Sequence, residues 1–295
     1  MATAATYRLR PRTAGVLPVV ALLLLLAVGA GAAPAAAGGL PAAQVVPAVT
    51  AAYGPTGTLA VVLAWQEVPA EGLSLRAAEA RSARVSAATA GNDLATRPFP
   101  TASLVKLFLA EQLLHLARTG AVVLSPDDLR RMADMVRRSS DATASDLWVR
   151  FDGNRLVRDV AARYGLSGTA PPRASGEWGE TTTTAEDLAR FLARLPVVAD
   201  PDDAATLTGW MGAVMPVAAD GFDQRFGVLG AAPGAPAVKQ GWMCCLAGKR
   251  HLHSVGLIGT QVVVLLSEVP TAVGWQAARA ALSAAAAAVP VTSGP

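Results

Sequence analysis

The sequence predicts an α/β (α+β) fold: one antiparallel sheet built from strands near both ends of the chain, flanked by helices, with an all-helical lobe inserted between them. Three observations carry this. Thr58–Trp65 (TLAVVLAW) is a continuous apolar run of strand length. The C-terminal third holds three more strand-like runs, at 236–243, 250–259 and 261–268. Between these ends the pattern changes to helical periods and helix-start signals.

In chain order, residues 38–56 are rich in Ala, Pro and Val and read as a linker with the start of a first helix. The strand at 58–65 follows, and a second is expected near 84–88. Residues 101–117 read as a helix that is apolar almost all round (Leu104, Val105, Leu107, Phe108, Leu109, Leu113, Leu114, Leu116), so it should be central and buried. Ser125-Pro126-Asp127-Asp128 combines a capping serine, a first-turn proline and acids that suit the N-terminal dipole, and it starts a helix running to about Arg138. Further helices are expected at 143–151, 155–164, 185–195 and 203–214. Thr184 with Asp187 resembles a capping box. An Ala-rich helix at 273–288 closes the chain. The domain should span 57–295, with the helical lobe at about 103–215.

The chain has 295 residues, 52% of them apolar, and a net charge of +3. Arg8, Arg10 and Arg12 precede the apolar run 16–30, and Ala35-Ala36-Ala37 fits a small-residue cleavage site. Residues 1–37 therefore read as a secretory signal peptide, which makes the protein secreted or extracytoplasmic. Membrane contact would come only through this leader if it stays uncleaved. No cysteine follows the apolar run, so no lipobox is expected. Subtracting the three arginines from +3 leaves a neutral remainder, which argues against nucleic acid as a partner. A monomer is expected, acting on a small-molecule or peptide substrate. No metal and no cofactor is called for. His251 and His253 share a strand face but lack a third ligand. The adjacent Cys244 and Cys245 read as two small buried hydrophobes, with a strained ring between them or a bond to another chain as the alternatives. Trp148, Trp178, Trp210 and Trp275 read as packing residues, and Trp242 as core or channel wall.

Three short stretches can carry chemistry. Ser103-Leu104-Val105-Lys106 opens the buried helix, and a spacing of three puts serine and lysine on one face. A serine hydroxyl needs a neighbouring base. Apolar burial lowers a lysine pKa and can supply one. Ser140-Asp141-Ala142-Thr143-Ala144 follows the helix ending near Arg138, and Lys239-Gln240-Gly241-Trp242 lies on an expected strand. The chain contains three lysines, and two of them sit in these stretches.

In order and context these stretches resemble the S-x-x-K, S-D-N and K-T-G motifs of the active-site-serine penicillin-recognising enzymes, the class A β-lactamases and penicillin-binding D,D-peptidases. The run Ser140 to Leu147 (SDATASDL) and the segment Glu180-Thr181-Thr182-Thr183-Thr184 resemble further family features. The resemblance implies a β-lactamase/transpeptidase-like fold and a serine hydrolase mechanism through an acyl-enzyme. By it, Ser103 is the nucleophile and Lys106 its base. Ser140 is the proton shuttle to the leaving nitrogen. Lys239 orients Ser140 and attracts a substrate carboxylate. The N–H groups of Ser103 and Trp242 form the oxyanion hole, and Gly241 lets the substrate backbone approach. Asp141 is structural, and Arg163 closes the omega loop through an ion pair with Glu180.

The pattern also breaks. Ala142 stands where the family has a substrate-binding asparagine, and Gln240 replaces a threonine that contacts the substrate carboxylate, a contact its amide can still donate. Only 37 positions (140 minus 103) separate Ser103 from Ser140, so the lobe looks trimmed. Residues 165–173 hold no carboxylate, and Glu177 is the nearest acid in the loop. Without a positioned base an acyl-enzyme should persist. The leading expectation is thus an exported acyl-enzyme former acting on a D-alanyl cell-wall peptide or a β-lactam. The alternatives are a β-lactamase with an atypical deacylation base, and a binding module that kept the fold.

Overall fold

A computed structural model describes residues 41–69, 76–77, 80, 83, 89–231 and 236–291. The leader at 1–37 and the strand expected near 84–88 lie outside the described residues. In chain order the described elements are helix α1 (Ala42–Tyr53), strand β1 (Thr58–Trp65), the two-residue strands β2 (Ala90–Gly91) and β3 (Phe99–Pro100), helices α2 (Val105–Arg118), α3 (Pro126–Arg137), α4 (Asp141–Arg150) and α5 (Gly153–Tyr164), strand β4 (Thr182–Thr183), helices α6 (Ala185–Val198), α7 (Pro201–Gly212) and α8 (Gly227–Ala231), strands β5 (Ala237–Leu246), β6 (Lys249–Ile258) and β7 (Gln261–Pro270), and helix α9 (Trp275–Ala287).

The sheet is antiparallel, in the order β2-β1-β7-β6-β5. The N-terminal strand thus enters between β2 and the last strand, with Thr58 opposite Glu268 and Trp65 opposite Gln261. Both faces of β1 are covered, which is why its sequence is apolar without alternation. Leu59, Val61 and Leu63 join α1 and α9 in one core. Ala60, Val62 and Ala64 join the helices between β3 and β5 in the other. The period of two sorts one strand into two cores.

Helix α2 runs through the second core. Its residues Val105 to Leu114 are all buried. Leu107, Phe108, Leu109 and Leu113 have no exposed surface, and each such side chain contributes roughly 1.5–3 kcal/mol relative to an exposed one. Helix α3 begins at the expected cap: Ser125 accepts from the Asp128 N–H while the Asp128 carboxylate accepts from the Ser125 N–H. Thr184 caps α6 by accepting from the Asp187 N–H. The lobe is not helical throughout, because β4 pairs with β3, Phe99 opposite Thr183. That short ladder fixes the segment leading into α2 against the loop that ends at Thr181.

Candidate active site

The residues before α2 form a 3-10 turn, Ala102–Leu104, so Ser103 sits at the entrance of the most buried helix. Ala102 has φ 46°, a left-handed conformation that a non-glycine residue adopts at a cost and that clusters at functional sites. The turn is held from two sides. The Thr101 N–H donates to the Thr181 carbonyl at 2.7 Å. On the other side β5 presses on it. A methyl group on Gly241 would stand 3.0 Å from the Thr101 carbonyl oxygen and 3.1 Å from Leu104 Cγ. Gly241 thus lets β5 lie close against the turn that carries Ser103.

Lys106 lies one helical turn beyond Ser103, and its side chain is fully buried. Its Nζ donates to Ser103 Oγ at 2.9 Å, to the Ser139 carbonyl at 2.8 Å and to Ser139 Oγ at 3.2 Å, and it pairs with the Asp141 carboxylate. The Trp178 ring lies 4.8 Å from the same nitrogen. Burial pushes the Lys106 pKa below its ordinary value, and the Asp141 charge only partly offsets this. From β5, Lys239 Nζ donates to Ser139 Oγ at 2.9 Å. Burial, with Lys106 close by, holds Lys239 well below the ordinary lysine range.

Three motif expectations need correcting. Ser140 does not face the lysines. It caps α4, with Oγ accepting from the Thr143 N–H at 3.4 Å and donating to Thr143 Oγ1 at 3.2 Å. Ser139, with φ 57°, turns its hydroxyl between Lys106 and Lys239 instead. The second motif is thus Ser139-Ser140-Asp141 by contact. Asp141 takes the position next to the lysine, so it belongs to the site and Ala142 does not stand there. Gln240 points away from the cleft, because neighbours on a strand face opposite sides. Its Nε2 donates to the carbonyls of Gln224 at 3.0 Å and Phe226 at 2.5 Å, and no surface of it is exposed.

Arg163 does not pair with Glu180. It lies in the last turn of α5, which packs on α2, and its guanidinium reaches the buried Glu111 carboxylate and, at 3.0 Å, Gln112 Oε1. The Tyr164 hydroxyl donates to the same Glu111 oxygen at 2.8 Å. This cluster staples two helices together through hydrogen bonds that do not involve Ser103.

In front of Ser103 opens a cleft of about 370 Å³, lined by Ser103, Asp141, Glu177, Trp178, Asp220 and Trp242 among others. Trp178 is a cleft residue that sequence reading assigned to packing. Its Nε1 donates to Ser145 Oγ at 3.1 Å, which ties its loop to α4. Trp242 Nε1 donates to Asp220 at 3.1 Å, and its ring stacks on Phe222 at 4.6 Å between centroids. Cys244 also lines the cleft. Cys244 and Cys245 are exposed and joined in a disulfide, which corrects the reading of both as buried thiols. Among the described residues, a second cavity of about 350 Å³, beside β1 and α6, is lined by neither serine nor lysine. Among the described residues no group of three His, Cys, Asp or Glu side chains is placed to hold a metal ion. Also among them, no helix is long and apolar enough to cross a membrane.

No family model matches the sequence. Proteins named "Putative lipoprotein LppW" from Mycobacterium bovis and Mycobacterium tuberculosis are 39% identical to it over 175 residues, 56% of this chain and 54% of theirs. The chain thus spans about half the length of the curated relatives it matches. Among solved structures, an ancestral class A β-lactamase aligns with TM-score 0.62 at 15% identity, covering 83% of this chain and 98% of that one. A β-lactamase from Chitinophaga pinensis aligns with TM-score 0.63 at 13% identity, covering 83% and 97%. One from Burkholderia vietnamiensis aligns with TM-score 0.61 at 17% identity, covering 85% and 95%. The order of elements, the five-stranded antiparallel sheet and the position of the buried helix agree with this likeness: the chain has the fold of the class A β-lactamases.

Proposed function

We propose that this protein is an extracytoplasmic serine hydrolase that forms an acyl-enzyme through Ser103 with an amide or ester. The observation that carries the reading is the unbroken hydrogen-bonded line from Ser103 Oγ through Lys106 Nζ and Ser139 Oγ to Lys239 Nζ, with contacts of 2.9, 3.2 and 2.9 Å. In the first half-reaction Ser103 Oγ attacks the carbonyl carbon and its proton passes to neutral Lys106. The tetrahedral oxyanion is held by the N–H groups of Ser103 and Trp242, the latter on the edge strand of the sheet. The bond to the leaving nitrogen or oxygen then breaks. Ser139 Oγ supplies the proton that atom needs and is refilled from Lys106, so the net transfer is one proton from Ser103 to the leaving group. Lys239 keeps the Ser139 hydroxyl aligned.

The name carried by the mycobacterial relatives and the leader-like start of the sequence support an extracytoplasmic location. A second reading, turnover as a β-lactamase, draws support from Glu177, which lines the same cleft as Ser103 and is a candidate base for the deacylating water. A neutral fluorescent fluorophosphonate followed on a denaturing gel, together with nitrocefin hydrolysis, tests both. Labelling that disappears in S103A, without nitrocefin turnover, supports the acyl-enzyme reading. Rapid nitrocefin turnover that also disappears in S103A supports the β-lactamase reading. A folded protein that shows neither activity overturns both and leaves a binding module.

A further inference from the structure

The cleft's lining carries a charge opposite to that expected of a carboxylate-binding site. Among the described residues, three carboxylates line it, those of Asp141, Glu177 and Asp220, and neither arginine nor lysine does. The two lysines nearby, Lys106 and Lys239, have no exposed surface. Lys106 is engaged by Asp141, and Lys239 donates to Ser139 Oγ and to the Gln240 carbonyl. Gln240, whose amide was expected to reach a substrate carboxylate, is turned to the carbonyls behind the strand. Among the described residues no exposed donor of positive charge is left on this wall.

A second observation points the same way. The indoles of Trp178 and Trp242 both line the cleft and both are partly exposed. The face of each already sits near a lysine amine, 4.8 Å from Lys106 Nζ and 5.8 Å from Lys239 Nζ. Aromatic faces flanked by carboxylates are the usual means of holding an alkylammonium group. Asp220 sits beside Trp242, held there by the indole N–H.

From this geometry, and resting on the acyl-enzyme reading of Ser103, we propose that the cleft takes acyl donors carrying a quaternary or alkylammonium group and disfavours those ending in a carboxylate. The cation would lie against Trp242 and Asp220. A ligand carboxylate there would face like charges at short range, whereas a cation gains both the Coulombic and the ring contribution.

The test uses three thioesters with one acyl group in common: a thiocholine ester, its neutral dimethylbutanethiol isostere and a thioglycolate ester. For the intact protein, kcat/KM should favour the thiocholine ester over the thioglycolate ester by about tenfold or more. Added salt should narrow the ratio, because exposed charges are screened, and D220N should lower it. Binding without chemistry is read separately in S103A, by tryptophan fluorescence. Saturable quenching by the thiocholine ester and not by the thioglycolate ester is expected. Turnover of all three esters at equal rates, or faster turnover of the thioglycolate ester, overturns this inference while leaving the acyl-enzyme reading intact. If no ester is turned over, the acyl-enzyme reading fails, and equal or reversed affinities in S103A then overturn the charge preference as well.

Discussion

At Lys106, burial and a neighbouring charge act against each other. The side chain carries an amine into a site with no exposure, so desolvation lowers its pKa, with Asp141 pulling the other way. The base form is the neutral amine, and its population rises with pH through that lowered value. The acylation rate should therefore climb as pH rises and level off below the ordinary lysine range, as seen by stopped-flow with a neutral ester. Lys106→Arg puts a permanent cation in place of the base, because guanidinium does not deprotonate. Its acylation rate should fall by about 10²–10⁴-fold with the fold retained. The adjacent serines give a sharper contrast. Ser139→Ala removes the bridge between the lysines and should slow acylation by about 10²-fold or more. Ser140→Ala removes a helix cap and should cost about 1 kcal/mol of stability while leaving the rate near that of the parent. Thermal melts paired with rates would separate the two, and the reverse pattern would restore Ser140 as the shuttle.

What sequence could reveal at this scale follows from range. Ser103 and Lys106 are three apart on a helix, so local geometry brings them together before any tertiary contact is known. Choosing between Ser139 and Ser140 depends on the left-handed φ of Ser139, and residue type gives little sign of it. The direction of Gln240 was within reach of strand alternation once Lys239 was set facing the nucleophile. The role of Trp178 depends on a loop whose path no periodicity encodes.

Among the elements, α2 and α5 are joined by a buried charge cluster. Glu111 is almost fully buried, and burial raises its pKa while Arg163 and Tyr164 hold it down. Arg163→Ala would leave that carboxylate without its cation. Breaking such a buried pair costs roughly 3–5 kcal/mol. Chemical denaturation should show that loss, and a Glu111→Gln/Arg163→Ala double variant should recover part of it because no charge is then stranded. Helices α3 and α6 start at the caps expected of them, since capping is a local matter of a side-chain oxygen and an N–H three residues on. The Arg163 partner was not legible, because it depends on which helix face α5 turns to α2.

At the scale of the whole molecule, the sheet joins residues more than two hundred positions apart, and the pairing of β1 with β7 closes it. Its apolar strands and the all-round apolar helix made this architecture legible, because full burial on both faces leaves a plain compositional mark. Within the sheet, His253 on β6 is fully buried. Its Nδ1 accepts from the Ser267 N–H at 3.1 Å, and its Nε2 bonds the Pro100 carbonyl at 2.8 Å. Burial, with His251 beside it, pushes its pKa down to about 3. In the unfolded chain an unperturbed histidine titrates near pH 6.5. The unfolded state therefore binds the proton first, and stability is lost as pH falls from about 6.5 toward about 3. Urea midpoints should drop over that window, and His253→Asn should flatten the slope. A parent midpoint that holds constant across the window would show that this ring is not kept neutral by the fold.

The proposed acyl-enzyme requires one covalent bond, at Ser103 Oγ, with the buried Lys106 amine taking its proton. Intact-mass measurement of the full chain after exposure to a neutral activated ester, with peptide mapping of the product, tests this most directly. The predicted result is a single adduct per chain, located on Ser103 and lost in Ser103→Ala. An adduct on another residue, or a folded chain that stays unmodified under these conditions, would contradict it.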